Sequence, residues 1–324
     1  MEDKLQQSRV AVAPMMERTD RHCRYFLRLL APHAWLYTEM ITAAAVVRGP
    51  RERLLAFDPA EHPIAAQLGG SDPAELAAAT RIVAAAGYDE VNLNVGCPSG
   101  RVQAGCFGAA LMASPSTVAD CVRTMRQASG LPVTVKTRLG IDDLDSYASL
   151  RDFVGTVAAA GCSTVIVHAR KAWLKGLSPK ENREVPPLDY PRVHRLKRDF
   201  PQLEILINGG LNRADQALAQ LDHVDGIMLG RAAYQRPYLL AELDHRLFGG
   251  PPPPSRATIL AAMKHYAAAE LSAGTPVRSI TRHMFGLYAG EPGARQWRRT
   301  LSDLSKGSHA LEGLERLLAA RVAA

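Results

Sequence analysis

Short apolar runs rich in β-branched residues recur eight times along the sequence, and stretches with helical periodicity separate most of them. Strands that alternate with helices are typical of parallel sheets joined by helical crossovers. Eight such units over roughly 240 residues fit a TIM barrel, for which ~250 residues is typical. A doubly wound open sheet is the alternative, but no Gly-x-Gly-x-x-Gly motif follows the first run. The runs are 10–13, 35–38, 64–68, 91–95, 133–136, 164–167, 205–207 and 226–229, and the helical stretches include 73–86, 116–128, 146–160 and 213–221.

Four consecutive prolines, Pro251 to Pro254, interrupt this pattern, because proline cannot continue a helix and favours an extended connector. Beyond them the sequence has helical periodicity almost to its end, divided by the turn Gly290-Glu291-Pro292-Gly293. We therefore expect two domains, a barrel of residues 1–250 and a small helical bundle of residues 251–324. The predicted helices of the bundle are 258–271, 279–288, 295–304 and 308–322.

The charge is unevenly distributed. Hydrophobic residues make up 47% and charged residues 22% of the chain, the balance of an ordinary globular protein. The formal net charge is +7, and residues 255–324 contribute most of it, with ten lysines and arginines against five aspartates and glutamates. A positive cluster suits a polyanion such as nucleic acid, although a basic helical face is more often simply solvated. Charge alone leaves both interpretations open.

The opening residues are polar, and no run of about 18 apolar residues follows. We therefore expect a cytoplasmic protein without a membrane span. The five cysteines are scattered and form no Cys-x-x-Cys pair, so they indicate free thiols rather than a zinc site or a redox dithiol. No metal site is expected.

Polar residues end four of the predicted strands: Gln67, Asn94, Lys136 and His168. In a TIM barrel the carboxyl ends of the strands form the active-site face. Taken singly, a strand-end lysine is often solvated and a histidine is more often a packing residue than a catalytic one. Their recurrence at equivalent positions predicts a polar pocket.

The seventh and eighth predicted strands end in Asn208-Gly209-Gly210 and Gly230-Arg231. Loops after these two strands often bind phosphate in this fold. Glycines let backbone N–H groups approach a phosphate closely, and Arg231 adds a positive charge. A Gly-Gly pair alone would be read as a tight turn, but both turns together indicate a phosphorylated ligand.

Cys97 lies three residues after Asn94, in a Gly-Cys-Pro turn at the end of the fourth predicted strand. Proline fixes its own φ, so the thiol is carried on a stiff loop at the barrel mouth. An ordinary cysteine is a small buried apolar residue. A thiol at neutral pH is largely protonated and is able to act as a general acid, while a thiolate nucleophile remains open if His168 approaches it.

The sequence resembles the tRNA-dihydrouridine synthases, and specifically their A-type branch. Few of the matching segments are specific singly, but the ordered set is, and it runs through most of the chain. His-Ala-Arg-Lys-Ala-Trp at 168–173 with Ser-Pro-Lys-Glu-Asn-Arg at 178–183 points to the A-type branch. The other segments are 12–15, 19–25, 37–40, 92–98, 135–138, 208–210 and 230–231.

The resemblance implies a TIM barrel that holds FMN, followed by a helical tRNA-binding domain, with NADPH as the reductant. It places the backbone of Pro14, Met15 and Met16 under the flavin ring, and Gln67, Lys136 and His168 on the ring and ribityl chain. Lys136 near the flavin N1 and O2 edge would stabilise the negative charge of the reduced cofactor. The residues matching the phosphate cradle are Asn208, Gly209, Gly210, Gly230 and Arg231.

The implied reaction is reduction of the C5–C6 double bond of uridines 20 and 20a in the tRNA D-loop. Reduced FMN gives a hydride to C6, and Cys97 matches the residue that protonates C5. Because both must reach one ring, the base must be extruded from the tRNA and laid over the flavin. Asn94 is then expected to hold the uracil edge.

The resemblance also implies RNA contacts by Lys180 and Arg183, in a basic loop beside Trp173, and by Gln296 and Arg299 in the C-terminal part. The departures from the family pattern are local: Glu17-Arg18, Gly100, Ala104 and Cys106. They affect details around the flavin and the Cys97 loop. No protein partner is implied.

Three other functions fit parts of the pattern. A flavin barrel acting on a free pyrimidine, such as a dihydroorotate or dihydropyrimidine dehydrogenase, would need neither the basic tail nor Lys180 and Arg183. A catalytically silent tRNA-binding protein would not need Cys97, Lys136 and His168 together. An aldolase would use Lys136 as a Schiff base and would hold no flavin.

Overall fold

Eight parallel strands close into a barrel in the computed structural model, which describes residues 9–304. Each strand pairs with the next, and β8 pairs with β1 to complete the closure. Every predicted run is a strand, so the TIM-barrel prediction is confirmed. The strands are β1 (Arg9–Val12), β2 (Trp35–Thr42), β3 (Ile64–Gly69), β4 (Glu90–Asn94), β5 (Val133–Arg138), β6 (Thr164–His168), β7 (Glu204–Asn208) and β8 (Gly226–Leu229).

Helices follow the strands and cover the outside of the barrel. The predicted stretches 73–86, 116–128 and 146–160 are helices to within one residue at each end, and 213–221 is a short α-helix continued by a 3-10 turn over Ala219–Asp222. The helices of this part are α1 (Arg21–Leu30), α2 (Ala43–Arg48), α3 (Arg51–Leu54), α4 (Pro73–Ala85), α5 (Gly100–Ala104), α6 (Pro115–Ala128), α7 (Tyr147–Ala159), α8 (Tyr190–Asp199), α9 (Ala214–Leu218), α10 (Arg231–Gln235) and α11 (Tyr238–Phe248).

Two apolar cores result from the alternation of side chains along the strands. Outward-facing residues such as Val91, Leu93 and Val135 pack against the helices in one large core. Inward-facing residues fill the lumen with a smaller cluster: Ala11, Ala13, Tyr37, Ala65, Ile166, Leu206 and Met228. Polar side chains stand above and below this apolar plug, and along β3 to β5 a row of them passes beside it.

The C-terminal part is helical, as predicted. It contains α12 (Arg256–Ser272), α13 (Val277–Thr281), a 3-10 helix over Arg282–Gly286 and α14 (Ala294–Leu304). The single helix predicted over 279–288 is therefore divided into an α-helix and a 3-10 helix. The helix predicted over 308–322 lies outside the described residues, and so does the end of the predicted bundle.

These helices dock on α1 through polar and aromatic contacts. Arg21 forms two hydrogen bonds to the Glu270 carboxylate, at 2.6 and 2.5 Å. Tyr25 stacks on Tyr266 with ring centroids 4.0 Å apart. Asp20 caps α1 and also receives the side chain of Arg282. The C-terminal helices are thereby fixed to the barrel element that follows the β1 loop.

None of the helices in residues 9–304 is long and apolar enough to span a membrane.

The closed end of the barrel is packed too tightly for a side chain at Gly226. A Cβ there would lie 2.6 Å from the Arg9 carbonyl oxygen and 2.8 Å from Leu206 Cγ. We expect Gly226→Ala to lower the free energy of unfolding by about 1–3 kcal/mol. Gly155→Ala in α7 is the matched control, since its Cβ would meet only Phe200 at 3.5 Å and alanine favours a helix. Urea denaturation checks the pair, and equal midpoints for both variants would contradict it.

Candidate active site

The polar strand ends lie together at the carboxyl end of the barrel. The strand register pairs Asn94 with Lys136 and His168 with Asn208. Gln67 joins them, since its Oε1 accepts a hydrogen bond from Asn94 Nδ2 at 2.8 Å. These side chains face inwards above the apolar plug. The structure thus brings the predicted pocket residues into one mouth.

Lys136 is held inside the mouth by Asn208. Its Nζ donates to Asn208 Oδ1 at 3.2 Å, and Asn208 Nδ2 donates to the Met228 carbonyl at 2.6 Å. Burial, reinforced by the Arg138 guanidinium, lowers the pKa of Lys136 to about 7. A bound anion would favour the charged form of the amine.

His168 is 9% exposed and lies among cations. Burial, and then Arg138, Lys136, Arg170 and Arg183, hold its pKa well below the ordinary value. The imidazole is neutral, and no protein group in residues 9–304 forms a hydrogen bond with its ring nitrogens. One ring nitrogen is then a donor and the other an acceptor for a polar ligand.

The Gly209-Gly210 turn requires both glycines. Their φ angles are +112° and +69°, in the left-handed region that side chains disfavour. A Cβ on Gly209 would lie 2.5 Å from His168 Cδ2, and one on Gly210 would lie 2.4 Å from Leu188 Cδ1. The turn therefore exposes backbone beside His168, as a phosphate cradle needs.

Two arginines add donors next to this turn. Arg231 begins α10 directly after Gly230 and forms an ion pair with Glu184. Arg170 Nε is buried without a hydrogen-bond partner. An unpartnered guanidinium nitrogen in a cationic mouth favours an anionic ligand. The donor set therefore fits a cofactor with a phosphate group and a ring edge rich in acceptors.

Pro14, Met15 and Met16 form the turn that follows β1. Thr19 Oγ1 closes it by accepting from the Met15 N–H at 2.9 Å, and Met16 is 57% exposed. The departure Glu17-Arg18 is part of the same turn: the Glu17 N–H donates to Glu39, and Arg18 lies over the Tyr234 ring at 5.0 Å.

The Cys97 loop is held by its backbone. The Cys97 N–H donates to Asn94 Oδ1 at 3.0 Å, and the Cys97 carbonyl accepts from the Ala109 N–H at 2.9 Å. Gly108, with φ +74°, leaves room for that carbonyl, because a Cβ would lie 2.6 Å from it. The half-buried thiol faces Ser99 Oγ at 3.6 Å rather than His168.

Arg138 is a site residue that the sequence analysis did not single out. Its Nε donates to the Gly96 carbonyl at 2.8 Å, and its Nη1 donates to the carbonyls of Lys171 at 3.1 Å and Asn182 at 2.9 Å. The buried guanidinium thus ties the Cys97 loop to the loop after β6. Its spacing of two residues from Lys136 was the available signal, since that spacing places both on the inner face.

The predicted RNA contacts lie in two places. Lys180 and Arg183 are exposed at a 3-10 helix over Glu181–Arg183, beside the mouth. Gln296 and Arg299 are exposed on α14, and the ion pair of Arg299 is to Asp303 on the same helix. No hydrogen bond or ion pair in the described part of the chain joins this second pair to the mouth. The structure therefore does not bring the two groups together.

Fold and site together define a TIM-barrel enzyme whose cationic mouth suits a phosphorylated cofactor. The family model described as dihydrouridine synthase (Dus) matches residues 11–323. The chain therefore belongs to the dihydrouridine synthase family.

Curated relatives match over nearly the whole chain. A tRNA-dihydrouridine(20/20a) synthase of Escherichia coli (strain K12) is 58% identical over 297 residues, covering 91% of this chain and 86% of the relative. A protein of the same name from Vibrio cholerae is 54% identical over 314 residues, covering 96% of both chains. A third, from Shewanella oneidensis, is 56% identical over 294 residues, 90% of this chain and 88% of its own length.

Solved structures show the same fold at low sequence identity. Morphinone reductase in complex with tetrahydroNAD has a TM-score of 0.51 at 14% identity, covering 78% of this chain and 90% of its own. A complex of 2-naphthoyl-CoA reductase has a TM-score of 0.57 at 11% identity. The match covers 76% of this chain and 53% of that protein. These likenesses concern the fold alone.

The lowered pKa predicts unusual reactivity for Lys136. Only the neutral form of an amine reacts with acetic anhydride, so the rate of acetylation follows the neutral fraction. The test uses protein freed of small ligands. We expect the acetylation rate of Lys136 to rise with a midpoint near pH 7 rather than 10.5, as followed by peptide mass spectrometry. The exposed Lys180 serves as the reference for access. FMN should raise the midpoint and slow the reaction; a midpoint near 10.5 without ligand would contradict the structure.

Proposed function

We propose that this chain is a tRNA-dihydrouridine(20/20a) synthase, which uses FMN and NADPH to reduce the C5–C6 bond of D-loop uridines. The observation that carries the proposal is the 54–58% identity to relatives of that name over nine-tenths or more of the chain. The site agrees with it chemically, because a cationic mouth, a neutral histidine and a thiol meet at one barrel end.

The FMN site uses the donor set of the mouth. Gly209, Gly210 and Arg231 would hold the phosphate, with Asn208 and Gly230 beside them. Lys136 would neutralise negative charge on the ring of the reduced cofactor. Gln67 and His168 would donate and accept hydrogen bonds to the ring and ribityl chain, and the turn of Pro14, Met15 and Met16 would support the ring. When bound, FMN would supply hydride chemistry, with NADPH as the reductant.

The protein supplies the proton. Hydride addition at C6 leaves an electron pair at C5, and the Cys97 thiol donates its proton there, so one π bond is replaced by two C–H bonds. The thiolate then recovers a proton from solvent. Asn94 contacts the uracil edge through its second N–H, since its oxygen is occupied by the Cys97 loop.

The tRNA occupies a larger surface than the reacting base. Lys180 and Arg183 contact RNA at the rim of the mouth, and Gln296 and Arg299 contact it on the helical domain, residues 251–324, beyond the barrel of residues 1–250. The proposal assigns the two groups to different points on one extended partner. The enzyme acts in the cytoplasm, on the D-loop and elbow region, without a protein partner.

The aldolase alternative has one observation in its favour. A lysine with a pKa of about 7 is partly neutral at physiological pH, as Schiff-base formation requires. The family to which the chain belongs favours the flavin enzyme instead. A purified protein that is yellow and bleaches with NADPH excludes the aldolase.

The proton-donor proposal separates two half-reactions. Cys97→Ala should leave flavin reduction by NADPH unchanged, because hydride transfer to the flavin needs no thiol. Oxidation of the reduced enzyme by unmodified tRNA should slow by about 10²–10⁴-fold, the usual contribution of a general acid. Stopped-flow absorbance under anaerobic conditions measures both. Cys106→Ala is the control, since that thiol is exposed on the same connection; equal oxidation rates in both variants would refute the role of Cys97.

The RNA-contact proposal predicts a change in salt dependence. Removal of one cation that binds a phosphate should make the slope of log K against log salt shallower by roughly one. We expect Arg299→Ala to weaken tRNA binding and flatten this slope, as measured by filter binding or anisotropy from low to moderate salt. Arg123→Ala, which removes an exposed arginine of the barrel helix α6, is the control. An unchanged slope in Arg299→Ala would show that Arg299 binds no phosphate.

A further inference from the structure

A continuous row of hydrogen-bonded side chains crosses the barrel interior from its closed end to the Cys97 loop. We call it the polar column. Thr134 Oγ1 lies 2.7 Å from Glu90 Oε1, and Asn92 Nδ2 lies 2.8 Å from Thr134 Oγ1. The upper part continues from Asn92 Oδ1 to Gln67 Nε2 and from Gln67 Oε1 to Asn94 Nδ2, each at 2.8 Å. The column comprises Glu90, Thr134, Asn92, Gln67 and Asn94, and all five are at most 9% exposed.

The lower end of the column is a buried carboxylate. Glu90 is 0% exposed and receives Arg9 Nη1 at 2.7 Å on one oxygen. Its other oxygen accepts the Tyr37 hydroxyl at 2.6 Å and the Thr134 hydroxyl. Burial and the nearby Glu90 carboxylate raise the pKa of Tyr37, which keeps this phenol a donor. In these contacts the Glu90 carboxylate only accepts hydrogen bonds.

The upper end of the column meets groups that only donate. Asn94 Oδ1 faces the backbone N–H groups of Gly96 at 3.2 Å and Cys97 at 3.0 Å. Between the two ends, each side chain has one orientation that satisfies its neighbours. Thr134 donates its one hydroxyl hydrogen to Glu90, so the hydroxyl oxygen must accept a hydrogen bond from Asn92 Nδ2. The same rule then places every amide oxygen of the column towards the mouth.

We propose that Glu90 is a positioning residue for the reaction at the mouth, acting through the polar column on the Cys97 loop. The inference rests on the proposed function of Cys97 for its catalytic part alone. The orientation of Asn94 fixes the Cys97 backbone, and the orientation of Gln67 fixes the donor and acceptor it offers to the pocket. The Glu90 carboxylate at the closed end thereby determines which side-chain atoms donate and which accept hydrogen bonds at the open end.

Glu90→Gln tests this polarity with almost no change of shape. The new amide has one oxygen and one NH2, and Arg9 takes the oxygen because a charge-assisted hydrogen bond is the stronger one. The NH2 then faces the hydroxyls of Tyr37 and Thr134, so both must accept from it, and Thr134 donates upwards to Asn92. Each amide above inverts in turn, and Asn94 presents NH2 to the N–H groups of Gly96 and Cys97. Two donors facing each other release the loop.

Glu204 offers a matched control at the same end of the barrel. Its carboxylate also pairs with Arg9, at 3.3 Å from Nε, and also accepts a threonine hydroxyl, that of Thr164 at 2.5 Å. It touches the column only through Arg9, which donates to both carboxylates, and Thr164 forms no hydrogen bond with a column residue in the described part of the chain. Glu204→Gln therefore removes the same charge from the same arginine without reversing the amides.

Amide hydrogen exchange of the holoenzyme tests directly whether the column holds the Cys97 loop. We expect the Gly96 and Cys97 amides to exchange roughly tenfold faster in Glu90→Gln than in the parent, while Glu204→Gln leaves them unchanged. Peptide mass spectrometry with fragmentation across residues 95–97 resolves them. Oxidation of the reduced enzyme by tRNA should slow by a similar factor in Glu90→Gln alone. Glu90→Asp, which keeps the acceptor, should restore part of both.

Equal protection of Gly96 and Cys97 in parent and Glu90→Gln would overturn the inference, as would equal losses in Glu90→Gln and Glu204→Gln. If the parent enzyme fails to reduce tRNA, the proposed function fails while the exchange measurement still decides the column. Should Glu90→Gln not fold, Thr134→Val and Thr134→Ser replace it. The valine removes the linking hydroxyl and should release the loop, whereas the serine keeps it; identical exchange in this pair would overturn the proposal.

Discussion

Closure of the sheet between β8 and β1 is the constraint on which the rest of the structure depends. Because side chains alternate along each strand, closure sends one set into a narrow lumen and stacks it in layers. The closed end is sealed by Arg9, which pairs with Glu90 and Glu204 and lies 4.2 Å above the Trp35 ring. The same register collects the polar strand ends at the opposite face.

That convergence has an electrostatic cost. Lys136, Arg138, Arg170 and Arg183 act together on the neutral His168, and burial with like charges lowers the pKa of Lys136. Repulsion of this kind disfavours the empty pocket and favours an anion in it. A site destabilised in this way is typical of proteins that use part of their stability for binding. A phosphorylated, electron-accepting cofactor suits the site for the same reason.

Much of this architecture was predictable from the sequence, because it depends on periodicity. Eight apolar runs predicted eight strands, and polar residues at their ends predicted the pocket, since both follow from parallel pairing. The tight turn at Gly209 and Gly210 was also readable, because both residues have φ in the left-handed region that side chains disfavour.

Other features depend on distances between segments far apart in the sequence, and periodicity carries no such information. Arg138 donates to three carbonyls on two loops, and Asn94 Oδ1 accepts from the Cys97 backbone N–H. The ion pair between Arg231 and Glu184 could not be predicted from the sequence for the same reason. The helix predicted over 279–288 divides because the 3-10 segment after Thr281 packs against α1, where Asp20 receives Arg282 and His283.

The most direct test of the account is anaerobic oxidation of the NADPH-reduced enzyme by three substrates. These are an unmodified tRNA transcript, the same transcript with cytidine at positions 20 and 20a, the positions named in its relatives, and free uridine. The account predicts rapid oxidation by the first alone, with one dihydrouridine formed for each flavin oxidised. Equal oxidation by free uridine or by the cytidine transcript would contradict it.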